Sequence, residues 1–424
     1  MRIKTFPSSF ELSPTLQANE MAAAARARGE YVWHMGFGQS PFPVPERLKT
    51  ALASAATQKD YLPTSGLERL KDTVKAYYEK RTGIQSDNYD VIVAPGSKLI
   101  LYALQDAVPG DLLHCVPSWV SYAPQARMLG TNVIDVETHL DDKGYHISAE
   151  TLETAIETAK AKGLNPTKII LNSPNNPTGL KIPESTLAEI APIIKKHDIL
   201  VIWDEIYGFV DFDNNYYSIT KYLPDNTVIS TGLSKHLSLG GWRIGIGFVP
   251  KSISRLFPYL CQFASETWSC VASPVQEACI EAYMEHEDIE KHIIDCTHIH
   301  SHMNRYLAKG VRACGVDIPM PQGAFYSYPD FKNHKDYLAT RGVHNSRDLA
   351  AFFIKEGNML TLPGEAFGER AEKLTLRLSG VDYDGSAVLQ AYQNGENLDE
   401  DFVLRHAPRI AQAVDKFAKI LDQG

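Results

Sequence analysis

From Asp90 to Val249 the chain alternates short, continuously apolar runs with longer segments in which apolar residues recur every three or four positions. The runs Val91–Val93, Asp111–Val116, Val133–Val136, Lys168–Leu171, Ile199–Trp203, Val228–Thr231 and Ile244–Val249 read as strands, most of them covered on both faces, because a half-exposed strand would alternate apolar with polar residues. The intervening segments are long enough for crossover helices, so the pattern predicts a doubly wound α/β sheet. Leu67, Leu70, Val74 and Tyr77 fall at helical spacing after Gly66, predicting a helix over 67–80. From Pro274 to about Arg312 the pattern stays helical without a strand signal, as a broken connecting helix between two units would. Beyond it come a strand at Ala324–Tyr328, a helix at Asn345–Glu356, strands at Met359–Thr361 and Leu374–Leu378, and a helix from about Val403, which together make an α+β unit. The polar, turn-rich stretch Asp382–Asp401 reads as an exposed loop or insertion.

Composition narrows the class. The 424 residues carry 42 Lys+Arg against 51 Asp+Glu, a net charge of −9, whereas a nucleic-acid binder would show a basic face. At 44% hydrophobic and 22% charged residues, the chain has the make-up of a globular protein able to bury a large core. Six cysteines are scattered through a chain too long to need staples, so reduced thiols in the cytoplasm are expected. The opening MRIKTFPSSFELSP has no apolar leader core, and no run approaches the roughly 18 apolar residues of a membrane span. Neither secretion nor membrane insertion is expected.

Four short patterns sit where an open α/β sheet presents ligands, at the carboxyl ends of strands. Ala94-Pro95-Gly96-Ser97-Lys98 turns from a strand into a helix, offering backbone N–H groups and a hydroxyl to an anion, although many tight turns look the same. Asn172–Gly179, NSPNNPTG, is stiffened by two prolines that could hold the Asn176 amide toward a ligand or simply end a strand. Asp204-Glu205-Ile206-Tyr207 closes the most apolar strand with a carboxylate. A carboxylate there needs a partner, which a cationic ligand nitrogen or backbone amides would supply. Ser234-Lys235, with Arg243 eight residues on, pairs an amine able to form a Schiff base with a guanidinium suited to phosphate, or else two ordinary surface cations.

Order and spacing together are more specific than any one pattern. NSPNNPTG, DEIY and SKHLSLGGWRIG match signature motifs in sequence, as do YLPTSGLERL (Tyr61–Leu70), PSWVSY (Pro117–Tyr122), QGAFY (Gln322–Tyr326), PGEAFG (Pro363–Gly368) and LRLS (Leu376–Ser379). Over nearly its whole length the chain resembles the aspartate aminotransferase family of fold-type I pyridoxal-phosphate enzymes, and is most similar to the bacterial aspartate and aspartate/prephenate subgroup. The resemblance implies an N-terminal arm and part of a small domain over 1–46. It implies a large domain over 47–290 with a mixed, mostly parallel seven-stranded sheet, and a small α+β domain over 291–424. It also implies pyridoxal 5'-phosphate as cofactor, an amino acid (glutamate or aspartate) and a 2-oxo acid as substrates, and a homodimer.

By the same resemblance Lys235 holds the cofactor and then moves protons at the substrate Cα, Asp204 keeps the pyridine nitrogen protonated, Asn176 and Tyr207 bond the ring hydroxylate, and Trp119 stacks on the ring. Gly96, Ser97, Arg243 and Tyr61 of the partner subunit hold the phosphate, with Lys98 and Ser234 beside them. Arg377 takes the substrate α-carboxylate as a bidentate fork, Gly38 and Asn176 border it, and Lys98 meets the distal carboxylate of an acidic substrate. There are departures. Gly232 stands where many members have a phosphate-binding serine, leaving Ser97 or Thr231 to replace it. The loop usually written G-E-P-D-F reads Gly38-Gln39-Ser40-Pro41-Phe42, without either carboxylate. Rivals on this fold are a lyase or decarboxylase using the same lysine, and a regulator, which would carry a DNA-binding domain or lack the lysine.

His292, Cys296, His298, His300 and His302 suggest a metal, with His298 and His302 four apart beside Asp295. No HExxH pattern supports them, and no metal is expected. Trp33 and Trp242 are expected in the core, Phe37 in the core or along the pocket, and Trp268 with Ser269 near the partner's site. The run Ala22–Ala25 is helix-forming.

Overall fold

The computed structural model describes residues 14–29 and 31–422. Residues 1–13, most of the segment expected to lack a leader core, lie outside these. All seven apolar runs form strands of one sheet: β1 (Tyr89–Ala94), β2 (Asp111–Val116), β3 (Val133–Glu137), β4 (Pro166–Asn172), β5 (Leu200–Asp204), β6 (Thr227–Gly232) and β7 (Gly245–Pro250). Their order is β1-β7-β6-β5-β4-β2-β3. Only β7 runs antiparallel to its neighbours. Every residue of β5, β6 and β7 is buried, which explains why none of these strands alternates. Helices such as α1 (Ser97–Ala107), Ala149–Ala161 and Glu184–Lys196 make the crossovers. The hairpin His139–Asp141 with Gly144–His146 escaped the sequence pattern because three-residue strands carry no readable period.

The connecting helix is broken as expected, into Ser273–Ile280 and α2 (Glu287–Ala313). At 27 residues, α2 spans roughly 40 Å. Its inward row begins with Ile289 and Ile293 in the core built around the large sheet and continues with Cys296, Ile299, Met303, Leu307 and Val311 in a second apolar cluster. That second cluster also takes Met35 and Phe42 from the N-terminal region, where Trp33–His34 pairs in parallel with Met359–Leu360. A small antiparallel sheet of β8 (Tyr326–Ser327), β9 (Leu362–Pro363) and β10 (Leu376–Ser379) has β10 in its centre. No helix of the described residues is long and apolar enough to cross a membrane, and all six cysteines are free.

Two local expectations are corrected. The stretch Asp382–Asp401 is not an exposed loop, since Gly385–Gln393 is helical with Val388, Leu389 and Ala391 buried. Asp384 caps that helix by accepting from the Ser386 and Ala387 N–H groups, so the acidic residue that suggested a turn is a helix start. The final helix is two, Glu400–His406 and Pro408–Leu421. Pro408 lacks an N–H and disfavours helical backbone at the residue before it, and Ala407 sits at φ −134, ψ 48.

Candidate active site

A cleft of about 270 Å³ opens at the carboxyl ends of β4, β5 and β6, and all the predicted site residues except Gly96 and Tyr61 line it. The sheet register explains part of this convergence. Asn172 and Asp204 stand opposite each other at the ends of β4 and β5. The NSPNNPTG loop that follows returns Asn176 to the same end, its N–H donating to Asn172 Oδ1 at 2.7 Å.

Asp204 is buried. Its carboxylate accepts from Tyr122 Oη at 2.6 Å and from the Ile206 N–H at 3.2 Å. Burial raises its pKa to about 6 against these two hydrogen bonds and the Lys235 charge, so it is an acid that would be eased by a cation beside it. Lys235 Nζ donates to the Gly38 carbonyl at 2.5 Å. Burial first, and then the Arg377 charge, lower its pKa to about 8. Its ammonium lies 5.4 Å from the Tyr207 ring centroid. Arg377 is buried on β10. Its Nη1 donates to Asn176 Oδ1 at 3.0 Å and its Nη2 to the Gly36 carbonyl at 2.9 Å, while Nε is buried with no partner. Asn176 thereby keeps its amide N–H groups for a ligand.

At the other end of the cleft, Gly96 precedes α1 with φ 91 and ψ 151, and Arg243 reaches the Pro95 and Gly240 carbonyls. A Cβ on Gly96 would stand 2.8 Å from Arg243 Cζ, so a guanidinium is seated directly on the turn whose N–H groups open the helix. Ser97 and Lys98 line the same end, and Lys98 Nζ lies 5.3 Å over the Trp119 ring. Desolvation, and then the Arg243 charge, lower the Lys98 pKa. Gly232 has no room for a side chain, because a Cβ would meet the Ile244 carbonyl at 2.7 Å. Thr231 does not take the place of the missing serine either: its hydroxyl accepts from Tyr78 at 2.9 Å on the opposite side of β6, leaving Ser97. Tyr61 is 92% exposed, away from this chain's own cleft.

Asn172, Ile206 and Gly240 line the cleft without having been singled out, and so do two tyrosines, Tyr122 and Tyr326. Each closes a motif already quoted, PSWVSY and QGAFY, so a tyrosine ending a motif was the available signal. The histidines on α2 do not assemble. His298 bonds Tyr392 and His302 the Asp399 carbonyl, Asp295 takes Lys291 and Gln393, and His300 lies inward between Phe42 and Phe325. Trp33 and Trp242 are half-buried rather than fully in the core. Phe37 packs against the Ile206, Tyr207 and Phe325 cluster, and Trp268 against the core beneath α1.

An anion cradle at a helix start, a buried acid in want of a cation, an amine of lowered pKa and a guanidinium with a spare N–H fit pyridoxal phosphate and an amino acid group for group. Comparison with known proteins agrees. Residues 32–382 match the family model "Aminotransferase class I and II". An aspartate aminotransferase of Bacillus sp. (strain YM-2) is 30% identical over 387 residues, covering 89% of this chain and 93% of that protein. An aspartate/prephenate aminotransferase of Thermus thermophilus is 29% identical over 360 residues, 84% of this chain and 89% of that one. In fold, the chain superimposes on a Thermus thermophilus aspartate aminotransferase structure with a TM-score of 0.81 at 24% identity, over 99% of this chain and 100% of the other. The chain therefore belongs to the class I and II aminotransferases, as a pyridoxal-phosphate-dependent enzyme that passes an amino group between an amino acid and a 2-oxo acid.

Proposed function

We propose that the amino donor is an acidic L-amino acid, glutamate or aspartate, and that the working unit is a cytoplasmic homodimer. The observation that carries the acidic preference is Lys98, a cleft cation additional to Lys235, Arg243 and Arg377. Gln39 also lines the cleft, neutral where the resembling family has a glutamate, which leaves room for an aromatic 2-oxo acid as acceptor. The exposed Tyr61 supports a partner subunit, since a motif residue has no role in its own cleft. The free cysteines suit a reducing compartment. The domain division at 46 and 290 belongs to the same reading. It is supported by one apolar cluster running from Leu48 to Ile293 and another that joins Met35 and Phe42 to residues from Cys296 to Leu421.

In this reading Lys235, Asp204, Asn176, Tyr207 and Trp119 hold the cofactor ring, and Gly96, Ser97 and Arg243 hold its phosphate together with Tyr61 of the partner subunit. Pyridoxal phosphate, when bound, supplies an electron sink for charge left on the substrate Cα. Lys235 moves the proton at that carbon, and a pKa of about 8 lets it change protonation state near neutral pH, as a proton carrier must. Asp204 supplies the negative charge that holds a proton on the facing ring nitrogen, while Tyr122 and the Ile206 N–H fix its carboxylate plane. Arg377, anchored by Asn176 and Gly36 before substrate arrives, offers its remaining N–H groups to the α-carboxylate and so sets the orientation of the Cα–H bond.

The test compares specificity constants for glutamate and aspartate with that for phenylalanine, in wild type and Lys98→Ala. A lost contact to a charged group at the rim predicts an acidic-to-neutral ratio lowered about tenfold. An unchanged ratio would remove Lys98, and with it the acidic-substrate claim.

A further inference from the structure

Tyr326 stands between Arg377 and Tyr207 at the floor of the cleft. It opens β8 in register with Ser379 of β10, which places its side chain on the strand face that also carries Arg377, two residues earlier. Its ring lies under the Arg377 guanidinium, with the centroid 4.4 Å from Cζ. Its hydroxyl meets Tyr207 Oη at 2.7 Å. Tyr326 is wholly buried and yet lines the cleft, so its hydroxyl can answer only to groups of the site. Burial raises both phenols above the ordinary tyrosine range, and both keep their protons. Two hydroxyls then share one hydrogen bond, and one O–H is left over. With the Tyr207 O–H directed into the cleft, Tyr326 must be the donor to Tyr207 Oη.

We propose that Tyr326 is a positioning residue that couples the substrate fork to the cofactor hydroxyl: its ring fixes the plane of Arg377, and its O–H orients and polarises the O–H of Tyr207. This rests on Tyr207 facing the cofactor hydroxyl, as under the proposed function. A hydroxyl that itself accepts a hydrogen bond is a stronger donor. Tyr326 therefore strengthens the stabilisation of negative charge on the ring oxygen, which favours the unprotonated state of the cofactor-linked Lys235 nitrogen. Deleting the Tyr326 hydroxyl must move that proton equilibrium to higher pH.

Holoenzyme variants are titrated by the visible absorbance of the bound cofactor, and steady-state constants for aspartate are measured beside them. Tyr326→Phe removes one oxygen and keeps the ring. It should raise the spectral midpoint by about 0.3–0.7 pH unit while KM stays within about twofold and kcat falls. Tyr326→Leu loses the ring as well and should add a KM increase of about tenfold. In the double variant Tyr207→Phe/Tyr326→Phe, the midpoint should equal that of Tyr207→Phe alone, because Tyr326 acts through Tyr207. If Tyr207→Phe moves the midpoint and Tyr326→Phe does not, or if the two shifts add, the proposal is overturned while the reading of Tyr207 stands. If neither variant moves it, Tyr207 does not face the hydroxyl and both readings fall.

Discussion

Replacing Gly96 with alanine should cripple cofactor binding without removing any group that does chemistry. The backbone at Gly96, φ 91 and ψ 151, is a conformation that side-chain-bearing residues adopt at a cost of about 1–3 kcal/mol. The new Cβ would press on the Arg243 guanidinium, 2.8 Å from Cζ, so either the turn opens or the guanidinium swings away. Loss of one charge-assisted bond to phosphate costs about 1.5–3 kcal/mol more. Part of the strain is already relaxed in the free protein, so the loss of affinity lies toward the lower end of the sum, about 2.7 kcal/mol or a hundredfold. Titration of the apoprotein with pyridoxal phosphate, followed by absorbance, measures it directly. Gly163→Ala is the control: its φ is 77, with no heavy atom near the added Cβ, so it adds positive-φ backbone strain without a clash, beyond the end of helix Ala149–Ala161 and away from the cleft. The control should lower the thermal midpoint and leave affinity unchanged. If Gly96→Ala also keeps wild-type affinity, the turn at 96–98 is not the phosphate cradle.

Asp204→Asn should retain cofactor and lose about 10²–10³-fold in kcat, the usual loss when one preorganised charge is removed, and turnover near wild type would mean that another group protonates the ring. In the apoprotein the same substitution has the opposite sign. Burial raises the carboxyl from its ordinary 3.8 to about 6, so the folded state disfavours the ionised form, and stability present below about pH 4 falls by up to about 3 kcal/mol as pH rises to 6. The variant's advantage in apoprotein thermal midpoint should therefore grow between pH 4 and 7 and then level off, and an advantage independent of pH would refute the burial argument. The lowered Lys235 pKa, about 8, predicts that apoprotein couples to pyridoxal phosphate with a rate that rises with pH to a midpoint near 8, and a midpoint near that of an ordinary lysine would contradict it. Mixing Tyr61→Phe subunits with Lys235→Ala subunits should restore one intact site per hybrid dimer. No recovered activity despite demonstrated subunit exchange would sink the shared site.

Most of the sheet was legible because its central strands are buried on both faces, which turns a structural condition into an apolar run, whereas the edge strand β3 keeps only Val136 buried. The cleft was legible for a different reason. The backbone geometry at its rim demands particular residues, such as Gly96 where a Cβ would strike Arg243, so short motifs mark it. What stayed hidden depends on tertiary contact. Val388 and Leu389 look like isolated apolar residues in a polar stretch until the helix they form is packed against the second core. The tie of Tyr326 to Tyr207 links residues 119 positions apart, which no local pattern encodes. Thr231 was a fair replacement for the missing serine on spacing alone, but side chains alternate along β6 and its hydroxyl points to Tyr78.

The most direct test of the account is a half-reaction. Holoenzyme is mixed with L-glutamate or L-aspartate in the absence of any acceptor, and cofactor absorbance, 2-oxo acid, ammonia and carbon dioxide are followed together. A transaminase gives a 2-oxo acid in proportion to active sites, conversion of the cofactor to its pyridoxamine form, neither ammonia nor carbon dioxide, restoration of the starting spectrum by a 2-oxo acid, and none of this in Lys235→Ala. Release of ammonia or carbon dioxide with continued turnover in the absence of an acceptor would contradict transamination, and would make the chain a lyase or decarboxylase on the same fold.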